Sequence, residues 1–167
     1  VFIQAGEFHY FRCPRDQWVS VLRGNPVGRD ARLADFQTHD RFYLLPWLAD
    51  LATVFPCLDL PGDTHPYVGH YLLWRLSWLH GRQYADASIA YETLIADLPG
   101  SLAALAGPLE LGAVDPRPLL PLIQGDTSPR WPAYADAAWF EALEAECEAL
   151  LSAMLTPPAT HRGLALD

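Results

Sequence analysis

Phe8-His9-Tyr10-Phe11-Arg12-Cys13-Pro14-Arg15-Asp16-Gln17-Trp18-Val19-Ser20 is the stretch on which the reading of this chain turns. Its first four side chains suit a pleated, packed surface, and they read as a buried strand that ends at Arg12. Cys13-Pro14-Arg15-Asp16 then opens a helix. Proline in the first turn loses no hydrogen bond, and Asp16 suits the positive end of the helix dipole. Trp18, Val19, Val21 and Leu22 supply an apolar face, and Gly24 is the expected stop. An arginine therefore stands at the carboxyl edge of a strand, directly before a helix start. Free backbone N–H groups attract anions there, and a guanidinium offers paired donors to a phosphate. Ser20, about two turns into the helix, adds a hydroxyl for a ligand lying along its side. The same residues also fit an internal role, with Arg12 paired to a carboxylate and Ser20 bonded to its own helix backbone.

Outward from this stretch the pattern is mostly helical. Residues 1–12 hold one or two short strands, and 24–29 form a connector. Leu33, Phe36, Phe42, Leu44, Leu45, Leu48, Leu51 and Phe55 give a helical pattern over 31–58, interrupted at Pro46. Leu60-Pro61-Gly62-Asp63 reads as a turn, with Asp63 or Thr64 capping the next helix. Tyr67, Tyr71, Trp74 and Trp78 form one helical stripe, read as core. Ser88-Ile89-Ala90-Tyr91 reads as a short strand. An alanine- and leucine-rich helix follows Pro99-Gly100 to about Leu111-Gly112, then a proline-rich loop spans 114–132, and a last helix runs from about Asp136 to Leu155. Five or more helices and two or three strands are expected.

Composition narrows the function classes. The 167 residues suit one domain or a large part of one, and 51% are hydrophobic, enough for a substantial core. The formal charge is −9, which disfavours a nucleic-acid binder. All 11 basic residues are arginines, so neither a Walker lysine nor a Schiff-base lysine is present in these residues. Cys13, Cys57 and Cys147 lack metal-ligand spacing and read as buried thiols of a reducing compartment. No apolar run has the length of a membrane span. The chain reads as soluble and cytoplasmic. It opens Val-Phe-Ile-Gln and reads as a portion of something longer.

Arg12-x-Pro14-Arg15-Asp16-x-x-x-Ser20 resembles the 3′-phosphate-binding segment of sulfotransferases that use 3′-phosphoadenosine 5′-phosphosulfate. In that family a strand ends in an arginine, a helix begins Pro-Arg-Asp or similar, and a serine follows eight residues after the arginine. The resemblance implies that Arg12 and Ser20 hold the donor's 3′-phosphate. Ile89-Ala90-Tyr91-Glu92-Thr93-Leu94 is similar to the family's strand ending in Tyr-Glu-x-Leu, followed by a helix and a Leu-Gly pair, here Leu111-Gly112. It implies that Tyr91 lies near the adenine and that Glu92 is structural. Thr127-Ser128-Pro129-Arg130-Trp131 falls where family members carry a basic loop that reaches back to the 3′-phosphate, which makes Arg130 a weaker candidate; His161-Arg162-Gly163 is weaker still.

The implied architecture is α/β and helix-rich: a partial P-loop-NTPase-like sulfotransferase fold with a short parallel sheet. It would cover residues 1–155 as an incomplete, carboxy-terminal part of the domain, with 156–167 as a tail. The implied function is the 3′-phosphoadenosine-binding portion of a sulfotransferase-like protein, which when complete transfers a sulfuryl group to a hydroxyl or amine of a small-molecule or carbohydrate acceptor. The glycine- and serine/threonine-rich loop for the 5′-phosphosulfate is absent, as are its lysine and the catalytic histidine or carboxylate. No catalytic residue is assigned, and no metal is called for. Association with a missing half or with a second copy is expected, because a sheet cut in half exposes an edge. The runner-up reading is a non-catalytic scaffold derived from the same fold.

Gly6-Glu7-Phe8-His9-Tyr10-Phe11-Arg12-x-Pro14-Arg15 also resembles the first-strand motif of family 35 β-galactosidases. That resemblance implies a (β/α)₈ barrel with two distant carboxylates, and the expected second strand motif is missing after Leu22. His39, His65, His70 and His80 have no metal-site spacing and read as structural. Glu141, Glu144, Glu146 and Glu148 read as a solvated helix face.

Overall fold

The computed structural model describes residues 7–23, 25, 27–112, 114–123 and 128–155. Strand β1 (Phe8–Phe11) runs into helix α1 (Pro14–Val21), and α2 (Leu44–Ala52) lies between two 3₁₀ turns, Leu33–Thr38 and Pro56–Leu58. Then come the long α3 (Pro66–Tyr84), strand β2 (Ala87–Ala90), α4 (Tyr91–Ala96) and α5 (Leu98–Ala106), two more 3₁₀ turns at Leu120–Leu122 and Trp131–Ala133, and α6 (Ala137–Leu155). The strands pair in parallel, Phe8 opposite Ala87 through Phe11 opposite Ala90. The fold is thus helix-rich α/β with a short parallel sheet, and α3 supplies the crossover that a parallel pair requires.

Trp18, fully buried on α1, is the hub of the core. Its ring meets Phe36, Phe42, His65, Tyr67, His70 and Tyr134 at centroid distances of 5.5–6.4 Å. Phe140, Cys147 and Leu151 of α6 complete it, and burial pushes the Cys147 thiol up to about 12. Gly81 sets how closely α3 approaches the sheet: a Cβ there would sit 2.4 Å from the His9 ring.

Several local expectations change. The strand at 8–11 is half-buried: His9 and Phe11 turn inward, Phe11 meeting Trp78 of α3 edge-on, while Phe8 and Tyr10 are 52% and 48% exposed. Alternation wins because α3 covers one face of the pair. The break in 31–58 falls at 39–43, where Tyr43 adopts φ 63°, rather than at Pro46. Pro46 is the third residue of α2, where its missing N–H leaves no intrahelical bond unmade. Asp40 caps that helix, accepting from the N–H groups of Phe42, Leu44 and Leu45. The cap of α3 is His65, whose Nδ1 accepts from Tyr67 N–H at 3.0 Å, not Asp63 or Thr64. Helix α5 ends at Ala106, short of Leu111-Gly112, and Gly112 takes φ 66°.

The glutamates of α6 do not form one solvated face. Glu144 accepts two bonds from Arg15 and one from Tyr67, and Glu148 accepts from Tyr71 and Arg75. Arginine forks and tyrosine hydroxyls bring these carboxylates onto α1 and α3. Gly24 and the 156–167 tail lie outside the described residues.

Candidate functional site

Arg12 leaves β1 and Tyr91 follows β2 at the same end of the sheet. Because the strands are parallel and in register, both residues emerge side by side beyond the carboxyl ends, where open α/β sheets take their ligands. Arg12 Cζ lies 5.1 Å from the centroid of the Tyr91 ring, and Tyr10 meets that ring edge-on at 6.1 Å. Trp74 Nε1 donates to the Arg12 carbonyl at 2.9 Å, which fixes the backbone at the strand end.

Glu92 reaches back from the first turn of α4. Its Oε1 accepts from Cys13 N–H at 3.2 Å, so it occupies a donor at the head of α1. The same oxygen is 3.8 Å from Arg12 Nε, close enough for charge attraction and too long for a hydrogen bond. Among the described residues, the buried Arg12 Nε has no hydrogen-bond partner. Burial pushes the Cys13 thiol up, against smaller pulls from the Asp16 and Arg15 N–H groups, so the sulfur stays protonated.

Arg15 and Asp16 of the Pro-Arg-Asp motif are used internally. Arg15 clamps Glu144 and lies over the Trp131 and Phe140 rings at 5.0 and 5.4 Å. Asp16, 6% exposed, accepts the backbone N–H of Arg130 at 2.7 Å and of Trp131 at 3.2 Å. That contact docks the 128–131 segment against α1, and it is how Arg130 reaches this end of the molecule. Ser20 lies one turn beyond Asp16 on the same helix face. It is exposed, and its side chain makes no hydrogen bond to another described residue. The Arg130 side chain is exposed too, with no ion pair to another described residue. The structure therefore brings Arg12 to Tyr91 directly, and places Ser20 and the Arg130 backbone on one face of α1. Thr127 and His161-Arg162-Gly163 lie outside the described residues.

A cavity of about 610 Å³ opens beside this corner, between β1, α1, α2 and α3. Aromatic and aliphatic walls come from Phe11, Trp47, Phe55, Trp74 and Trp78, with Arg12, Gln17, His70 and Ser77 as polar members. His70 is 8% exposed, and burial lowers its pKa to about 4 against a smaller opposing pull from the Pro14 carbonyl. In sequence His70 looks like one of four scattered histidines, but its place on the Tyr67-Tyr71-Trp74 stripe, three residues after Tyr67, is the signal that it faces inward.

Among the described residues, no group of three His, Cys, Asp or Glu side chains could hold a metal, and no helix is long and apolar enough to cross a membrane. Among the described residues, no carboxylate lines the cavity and there are two strands, so the glycosidase resemblance gains no carboxylate pair and no barrel from them. No family model, curated protein or solved structure matches the chain.

Proposed function

We propose that this chain carries the 3′-phosphoadenosine-binding portion of a sulfotransferase-like protein, with a partial P-loop-NTPase-like sulfotransferase fold. The observation that carries the reading is the parallel pairing of the strands ending at Arg12 and Tyr91. It sets a guanidinium and an aromatic ring against each other at one sheet edge, a phosphate donor beside a stacking surface. The exposed Ser20 hydroxyl and Arg130 supply further polar contacts along α1. In a complete protein this portion would hold 3′-phosphoadenosine 5′-phosphosulfate by its nucleotide end. Sulfuryl transfer to a hydroxyl or amine would rest on residues outside these 167.

One observation favours a second reading, a non-catalytic scaffold of the same descent. Glu92 sets a carboxylate against Arg12 and the head of α1, where the donor reading wants an anion. Titration of adenosine 3′,5′-bisphosphate into the chain and its Glu92→Gln variant separates the two. The donor reading expects saturable binding that tightens about tenfold in the variant, as a competing charge is removed. The scaffold reading expects no binding by either folded protein.

A further inference from the structure

We propose that the cavity between β1, α2 and α3 binds a planar aromatic molecule carrying an anionic group, at a site that adjoins the nucleotide site proposed above and shares Arg12 with it. At about 610 Å³ it has the size of small-molecule sites. Its walls are flat. Trp74 and Trp78 lie nearly parallel, 25° between planes with centroids 6.5 Å apart, and Trp47 is 58% exposed at the opening. Rings of this kind favour a flat apolar body by stacking and edge contact.

The polar members decide what such a body carries. Among the described residues, Arg12 is the one charged member of the lining, and no aspartate or glutamate joins it. The lining therefore favours an anion over a cation. A carboxylate at the edge of a flat apolar body fits, drawn by the arginine while its rings meet the tryptophans.

Calorimetric titration with 2-naphthoate tests the site, with 2-naphthylmethylamine as the cationic counterpart. Saturable binding of the acid, at least tenfold tighter than of the amine, is expected. Trp47→Ala, at an exposed position that leaves the core intact, should weaken the acid at least fivefold, and Arg12→Gln should remove the preference for acid over amine. Retention of full affinity in folded Trp47→Ala would place the ligand elsewhere and overturn the proposal, as would equal affinity for acid and amine or no binding of the acid. The nucleotide reading shares Arg12 but does not depend on Trp47, so Trp47→Ala should leave nucleotide binding unchanged, and variants at Ser20 and Tyr91 should leave naphthoate binding unchanged.

Discussion

Arg15 and Glu144, 129 positions apart, are joined by two parallel bonds, Nε to Oε1 at 2.8 Å and Nη2 to Oε2 at 2.7 Å. Tyr67 donates to the same carboxylate at 2.7 Å, so α1, α3 and α6 meet at one ion pair. Both charged side chains are less than one-fifth exposed. Removing one partner leaves the other charge buried, which costs about 3 kcal/mol. Glu144→Ala should lower the thermal midpoint by roughly 6–12 °C, at the 2–4 °C per kcal/mol expected for a chain of this size. Glu144→Gln should retain part of the loss-sparing geometry through its amide oxygen. A midpoint unchanged in Glu144→Ala would mean the three helices are not tied here.

Asp16 ties the 128–131 segment to α1 through two backbone N–H groups. Asp16→Ala should destabilise by about 1–3 kcal/mol, and Asp16→Asn, which keeps an oxygen acceptor, by less. Hydrogen exchange at the Arg130 and Trp131 amides should accelerate in the alanine variant, and the measurement is local enough to separate this contact from global loss.

His70 makes stability depend on acid. Its folded-state pKa lies near 4 against an ordinary 6.5, because burial disfavours the charged ring. Above 6.5 neither state is protonated there and the native state is unpenalised. Between 6.5 and about 4 the unfolded chain takes up a proton that the folded chain refuses, so stability falls by roughly 1.4 kcal/mol per pH unit. Burial lowers His65 as well, which adds to the same slope. Urea midpoints should fall across this window in the native protein and more shallowly in His70→Phe; equal slopes would count against the buried neutral ring.

Gly81 should resist substitution. A Cβ there meets the His9 ring at 2.4 Å, so α3 and β1 must move apart. Gly81→Ala should cost about 1–3 kcal/mol despite the gain in helix propensity, measurable by chemical unfolding. Stabilisation by the variant would show that the strand sits further from the helix.

The elements that were legible in sequence are those with strong local signals. Pro14 and Asp16 announced α1, the Tyr67-Tyr71-Trp74-Trp78 period announced α3, and α6 came within one residue of its start. What was not legible depended on distant partners. Glu144 and Glu148 look solvated until Arg15, Tyr67, Tyr71 and Arg75 arrive from elsewhere in the chain. The 31–58 segment has a helical apolar pattern, yet Asp40 draws three N–H groups and Tyr43 turns left-handed, which splits it. Of the candidate site, Arg12 is readable from a strand end, whereas Tyr91 enters only through the resemblance. The Glu92 contact needed the tertiary structure, while the inward face of His70 was open to its spacing from Tyr67 and Trp74.

An Arg12 that reads a 3′-phosphate, as proposed above, must discriminate between nucleotides with and without that group. Calorimetry should compare adenosine 3′,5′-bisphosphate with adenosine 5′-monophosphate, in the chain and in Arg12→Ala. The bisphosphate is expected to bind at least tenfold tighter than the monophosphate, and Arg12→Ala to remove this preference while leaving the monophosphate nearly unaffected. A charge-assisted bond of about 1.5–3 kcal/mol gives that factor. A preference that survives in Arg12→Ala, or a folded chain that binds neither ligand, would contradict it.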